Sequence, residues 1–346
     1  MDDVTAGAMP PASPPLLQLV DLASRSPSGH NAQPWTLVRS GEHGLVLRSE
    51  QSRWLPMVDP ANRELLLSFG ALIETIRQAA PPVGYQVEVR VLADRADASE
   101  IVRVDLTPAP VVSSTAPALI RSRATTRTPF LSRELPASDV DQIVGLDRAA
   151  LSFVARRSAQ GRWVADAATE AFAQQTWNDQ KQAELAEWLR FSRRDVRARG
   201  DGFTPEALGL STPLQALWYA AFSPTEALRP SFRRSSIKGA RRQLEGCAGF
   251  LLVTSADRSV GSLLESGAIY QRALLRATEL GVAHHTMSQA LEEDPWRQEI
   301  DPALQFKKPI QFIVRVGKAR HLARPSIRRP TASLLETWAG SQIGPG

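Results

Sequence analysis

The sequence predicts an α+β fold built from two degenerate repeats, each a mixed or antiparallel sheet with packed helices. Three observations lead there. Strand-like and helical patterns interleave in both halves, with short hairpin connections that a purely parallel sheet does not use. Two long amphipathic helices, one per half, share part of their pattern. A Pro-, Ser- and Thr-rich stretch at 106–116 separates the halves.

In chain order, residues 1–15 (MDDVTAGAMPPASPP) read as a disordered tail, with neither the basic n-region nor the apolar h-region of a secretion signal. The fold signal begins at Leu16. Stretches 35–39 and 45–48 flank Gly41, Glu42, His43 and Gly44 as a hairpin. Over 62–80, Leu65, Phe69, Leu72, Ile73, Ile76 and Ala80 recur at spacings of three and four, one broad apolar helix face. Segments 86–92 and 101–106 form a second strand pair. In the other half, 151–155, 249–254 and 310–317 are strand-like, the last alternating Ile310, Phe312, Val314 and Val316 with Gln311 and Arg315. The helix over 263–280 repeats the first one: Gly70, Ala71, Leu72, Ala80 and Gly84 match Gly267, Ala268, Ile269, Ala277 and Gly281. The predicted division is a first half at 16–115 and a second at 116–340. The second half carries an insertion at 174–245, whose aromatic residues suit a lid over a site or a helical pair completing the core.

Composition narrows the function. The 346 residues are 43% hydrophobic and 22% charged, an ordinary globular balance, and no apolar run approaches the roughly 18 residues of a membrane span. Cys247 is the only cysteine, so no intrachain disulfide forms and a reducing, cytoplasmic setting is expected. It precedes the apolar run 248–253, which suits a buried thiol and not a nucleophile. The formal charge is +5. Its densest source, Arg229 to Arg242, holds Arg233, Arg234, Lys238 and Arg241 without an acid. Only Phe232 interrupts it, and no zinc-finger or RRM signature accompanies it, so a solvated face or a wall toward a small anion is expected and not a nucleic-acid surface.

Three polar clusters carry the chemistry. The first, Pro27 to Trp35, packs Ser28, Gly29, His30, Asn31 and Gln33 into a turn before a strand that Pro34 launches. Its hydroxyl, imidazole and two amides suit the edge of a polar heterocycle, and without a carboxylate or second His it is a poor metal site. In the second, Arg123 and Arg127 stand one helical turn apart with Thr125 between, which suits a phosphate monoester bound by guanidiniums. The third is Arg328 and Arg329, beyond the strand at 310–317. No Walker loop, GxGxxG, HExxH or GxSxG competes. His284 and His285 are read as surface or structural residues at a helix end.

Taken together and in this order, the clusters resemble the nitroreductase family of FMN flavoproteins, in which a dimer holds each FMN between subunits. Here the PSGHNAQPW motif lies in the first half and the RATTR motif and terminal arginines in the second. The chain therefore resembles a fused pseudo-dimer with one complete pocket, similar to the tandem, lid-bearing mycobacterial dormancy-type branch, over about 16–335. The resemblance implies that Arg123 and Arg328, with Arg329 beside it, hold the FMN phosphate. Thr125 adds a hydrogen bond, and Arg127 lies near the ribityl chain or pyrimidine edge. Ser28, Gly29, His30, Asn31 and Gln33 come across the pseudo-interface, and Met287, Ser288 and Gln289 pass beside the flavin ring. The family's Asn and Lys ahead of the second-half strand have no clear counterpart; Lys238, Arg241 or Arg242 are the candidates to replace them. The implied activity is hydride transfer from NADH or NADPH to flavin N5 and on to a nitroaromatic, quinone or similar small acceptor, without a side-chain catalyst. The implied alternative is a closed lid that sequesters FMN with little turnover. The implied assembly is a monomeric pseudo-dimer or a homodimer, without nucleic acid or membrane.

Overall fold

The computed structural model describes residues 11–337. Residues 1–10 of the expected tail and 338–340 of the second half lie outside that range. The fold begins with Pro14, not Leu16: helix α1 (Pro14–Ala23) starts where the Ser13 hydroxyl accepts from the Leu16 N–H and proline occupies the first turn.

The first half continues through β1 (Trp35–Arg39), β2 (Gly44–Ser49), α2 (Arg63–Ala79), β3 (Tyr85–Val91) and β4 (Glu100–Pro108). After α3 (Ala116–Ser122) and α4 (Ala137–Val144), the second half opens with β5 (Leu151–Ala155). A helical run follows: α5 (Ala159–Trp177), α6 (Asp179–Trp188), α7 (Arg193–Arg199), α8 (Thr212–Ala221), α9 (Pro224–Leu228) and α10 (Pro230–Glu245). The half then closes with β6 (Gly249–Thr254), α11 (Val260–Glu279), β7 (Ala283–Thr286), α12 (Trp296–Ala303) and β8 (Ile310–Gly317), and the described residues end in α13 (Thr331–Leu334) and β9 (Leu335–Thr337).

The two sheets share one strand order. The first runs β3-β4-β2-β1 and the second β7-β8-β6-β5, with every one of these pairs antiparallel. In each, a long helix joins the second strand to the third, α2 in one half and α11 in the other. β9 then adds to β1 in parallel, so a strand from the end of the chain completes the first sheet and makes it mixed.

The two long helices cross at their glycines. A Cβ on Gly70 would sit 2.0 Å from the Leu264 carbonyl oxygen, and one on Gly267 would sit 2.0 Å from that of Leu67. The contact is reciprocal, as between copies related by a two-fold axis. Around it, Gln271 donates to the Thr75 hydroxyl and Arg272 pairs with buried Glu74. The matched Gly84 and Gly281 follow the helices with φ of 89° and 61°, a backbone region that suits glycine.

The insertion divides in two. Its last helix, α10, packs with α5, which lies mostly ahead of the expected insertion, into the second sheet's core, where Val164, Ala168, Ala171, Ala240 and Leu244 meet Phe250, Leu252 and Ile313. The chain between Asn178 and Leu228 has its own apolar cluster around Trp218, whose ring stacks between Phe191 and Phe222, and it is tied to the first half through Glu184 and Asp201. Part of the basic stretch turns inward: buried Arg233 donates to the Trp177 carbonyl and pairs with Asp179. Cys247 is buried, and burial pushes its thiol up to about 11, which leaves it inert.

Candidate functional site

The PSGHNAQPW turn holds a strained backbone. His30, Asn31 and Gln33 all have positive φ, 51°, 55° and 51°, a region disfavoured for side-chain-bearing residues. Contacts from the other half keep it there. The Asn31 amide donates to the carbonyls of Gly202 and Ile327, and the Gln33 amide to that of Gly200. Gln33 also accepts from the Arg329 N–H, and the Ser28 hydroxyl accepts from the Gln33 N–H. Gly200 and Gly202 permit the approach: a Cβ on Gly200 would lie 2.4 Å from the Arg328 carbonyl, and one on Gly202 2.3 Å from that of Trp188. Asp201 between them pairs with Arg190 at 2.6 Å and Arg53 at 2.7 Å, which fastens the 200–203 loop over the turn.

Beneath the turn, three arginines converge; Arg25 pairs with Asp21 at 3.4 Å, while Arg123 and Arg328 have no carboxylate partner among the described residues. The Arg25 carbonyl accepts from Arg123 and from Arg328, each at 3.0 Å. Arg328 also donates to Asn31 Oδ1 at 2.9 Å. Three guanidinium nitrogens are buried with no partner among the described residues: Arg25 Nε, Arg123 Nη1 and Arg328 Nε. Burial lowers the pKa of Arg123, and burial with repulsion from Arg123 and Arg25 takes Arg328 well below the usual arginine range. Cations gathered in this way, with donors to spare, are complementary to an anion. Arg25 escaped the sequence reading, although it stands two residues before Pro27; its approach to Arg123 and Arg328 is a tertiary fact.

The RATTR segment is not helical. α3 ends at Ser122, and the chain leaves Arg123 extended, with φ −56° and ψ 124°. The expectation of two arginines on one helical turn is therefore wrong: residues 123–127 belong to no helix, so the one-turn spacing does not apply. Thr126 serves the fold: its N–H donates to the His284 carbonyl and its hydroxyl accepts from the Ala323 N–H. Arg127 donates to the Ala207 carbonyl, lies 4.8 Å over the Phe203 ring, and is lowered to about 10 by burial. Thr125 is half-buried beside it.

The opposite wall comes from α11 and β7. Tyr270 stacks on Phe312 at 3.9 Å, and its hydroxyl lies 2.7 Å from that of Thr286. His284 and His285 belong to β7, not to a helix end, and His284 is buried. Burial and then Arg123 lower His284 to about 3; burial and then Arg127 lower His30 to about 4. Both rings are therefore neutral near pH 7. His30, Arg127, His285 and Arg328 are half-buried and, as electrostatic neighbours of Arg123, Arg127 or Arg25, outline the candidate recess.

The remaining expected residues divide. Met287 and Ser288 are spliced to β8, the Met287 N–H donating to Ile313 and the Ser288 hydroxyl accepting from it. Gln289 keeps a buried Oε1 without a partner. Arg329 donates to the carbonyls of Gln33, Trp35 and Ser333 and pairs with Glu50, so it and Gln33 spend their polar atoms joining the halves. At Gly29, an added Cβ would lie 3.2 Å from Glu64 Oε2. Burial and Glu292 hold the Glu64 carboxyl well above its ordinary range, and burial, then Glu64, raises Asp59 to about 7.

No protein-family profile matches the chain. It is 25% identical over 329 residues to a Mycobacterium tuberculosis protein named "Putative NAD(P)H nitroreductase acg", covering 92% of this chain and 93% of that one. The chain resembles the mycobacterial nitroreductases. An uncharacterized protein of the same organism is 27% identical over 339 residues, with 93% and 92% covered. Among solved structures, the FMN-dependent nitroreductase NfnB of Mycobacterium smegmatis, in complex with NADPH, aligns at 15% identity and a TM-score of 0.38, covering 67% of this chain and 98% of that one. The sequence similarity to the two M. tuberculosis proteins spans both halves and the insertion between them.

Proposed function

We propose that this chain is a fused pseudo-dimer that binds one FMN between its halves and works as an NAD(P)H-dependent oxidoreductase of nitroreductase type. The observation that carries the reading is the trio of unpartnered guanidinium nitrogens on Arg25, Arg123 and Arg328, joined through Asn31 to the strained turn of the other half. The shared strand order and the reciprocal glycine contact support the fused pseudo-dimer. The name of the M. tuberculosis relative supports the nicotinamide donor.

The residues present fit FMN. Arg25, Arg123 and Arg328 would hold its phosphate, a dianion that meets their spare donors. Thr125 and Arg127 would follow along the chain from that phosphate, and Ser28, Gly29, His30 and Asn31 would close the site from the first half. Gln33 and Arg329 would act by holding the turn and the carboxyl-terminal segment together. When bound, FMN supplies a ring that accepts hydride and passes two electrons to an acceptor, here a nitroaromatic, quinone or similar compound. The protein's part is to fix that ring, keep water out and leave the imidazoles of His30 and His284 neutral. Arg127 would supply a nearby positive charge that favours the reduced, anionic state of such a ring.

A second reading rests on the 200–203 loop. Phe203 lies against His30 at 5.5 Å and under Arg127, and the loop is fastened by the Asp201 pairs. A cover so tied would admit a nicotinamide slowly, and the chain would then store FMN. The deciding experiment is a visible spectrum of the purified protein, an FMN titration, and anaerobic mixing with NADPH and NADH. Loss of the flavin band within seconds is expected for the enzyme. A stable band indicates storage, and a protein that neither carries nor takes up FMN ends both readings.

A further inference from the structure

His285 carries a recess contact that neither reading has used. Its Nδ1 accepts from Arg315 Nε at 3.1 Å. Arginine has no acceptor, so the contact requires a lone pair on Nδ1, and the proton of the neutral ring must sit on Nε2. Arg315 cannot turn away. It is fully buried, its guanidinium lies 3.9 Å over the Phe130 ring, and its other nitrogens donate to the carbonyls of Gln243, Thr126 and Thr128. Nε2 has no hydrogen-bond partner among the described residues, His285 is only half-buried, and Arg127 is one of its neighbouring charges.

We propose that His285 is a ligand-binding residue whose Nε2–H, locked in one tautomer by the positioning residue Arg315, donates a hydrogen bond beside Arg127 to an oxygen or ring nitrogen of the bound ligand. The inference rests on the FMN reading and extends it: the site would offer one permanent cation and one permanently neutral donor to the polar edge of the ring system. The groups facing His285 are Arg315 on β8, Arg127 on the extended segment after α3, and its neighbour His284 on β7. Two of them are cations and none is an acid. Burial, then these neighbours, hold its pKa well below the ordinary histidine value. Protonation would also break the contact with Arg315, because an imidazolium has no lone pair to offer. His285 is thus a donor and not an acid: giving up the Nε2 proton would leave an imidazolate.

Two measurements test this. Nitrogen-15 spectra of histidine-labelled protein, with the His285 signals assigned from their absence in His285→Gln, should show a neutral ring protonated on Nε2 throughout pH 5–8. A ring that titrates near 6.5, or one protonated on Nδ1, overturns the proposal whether or not FMN binds. In the second, FMN affinity and midpoint potential are compared for wild type, His285→Phe and His285→Gln. The expected loss for Phe is roughly 10- to 100-fold in affinity, the range for a hydrogen bond to a charged or strongly polar group, with a shifted potential. Gln, which keeps a donor, should recover most of it. Unchanged affinity and potential in a folded His285→Phe, or equal losses in both variants, refute the donor role. If wild type itself fails to bind FMN, the parent reading falls, while the tautomer result still stands or fails on the spectra.

Discussion

Arg123 closes helix α3 with a guanidinium that meets Arg25 and Arg328 instead of an acid, and that choice fixes what it can do. A buried cation without a counter-ion destabilises the fold, and its retention makes sense where an anion completes the site. Arg123→Ala should therefore weaken FMN binding by roughly 30- to 5000-fold, the effect of about 2–5 kcal/mol for a buried charged partner. The same change should leave the apo protein as stable as before, or more so. A titration with FMN and a melt without it separate the two effects, and full affinity in the variant would count against the phosphate site. Asp59 makes a complementary prediction. Burial first and Glu64 second raise its folded pKa to about 7, so the folded state binds more protons than the unfolded one above about pH 4. Stability from this group is complete below that point and is lost as pH rises toward 7. Asp59→Asn keeps an acceptor for the Leu65 N–H and should gain on wild type by a few kcal/mol between pH 4 and 8. Urea melts at the two ends of that range give the sign; a gap that does not widen with pH contradicts it.

Among the elements, α2 and α11 govern how the halves meet. Their closest approach needs glycine on both sides, and any side chain must push one helix off the other's carbonyls. Gly267→Ala should cost at least 1–3 kcal/mol, the usual penalty of overpacking, and should loosen the recess whose wall α11 supplies through Tyr270. Chemical denaturation and the fluorescence of added FMN report the two consequences. Retention of wild-type stability would mean that the helices do not touch in this way. The apolar faces of both helices are readable as periodicity, and the observed limits 63–79 and 260–279 fall close to them. The glycine match at 70 and 267 was likewise visible, but periodicity says only that a face is buried and not what it faces.

For the whole molecule, the carboxyl-terminal segment is the tie. It leaves the second sheet, brings Arg328 beneath the turn, anchors Arg329 on the first half and ends as β9 against β1. Arg329→Ala would strand the acceptors of Gln33, Trp35 and Glu50 and should destabilise by roughly 2–4 kcal/mol. Because Arg328 is its neighbour, FMN affinity should fall as well, although Arg329 is assigned no contact with the ligand. Paired measurements of melting temperature and FMN affinity check this, and a stable variant with weak binding would instead make Arg329 a ligand residue.

By itself the sequence determined seven of the nine described strands, the two long helices and their matched glycines, because side-chain period and turn chemistry are local and survive in the string of residues. It also marked Asn31, Arg123 and Arg328 as residues of one site through the order of their motifs. Only the tertiary structure decided that RATTR is not helical, that Gln33 and Arg329 are fasteners, that His284 and His285 lie in a strand, and that Arg25 joins the cations. Those outcomes depend on which groups meet across the 98 to 303 residues that separate the paired positions. Burial, spare donors and tautomers arise from that meeting, and no local pattern encodes them.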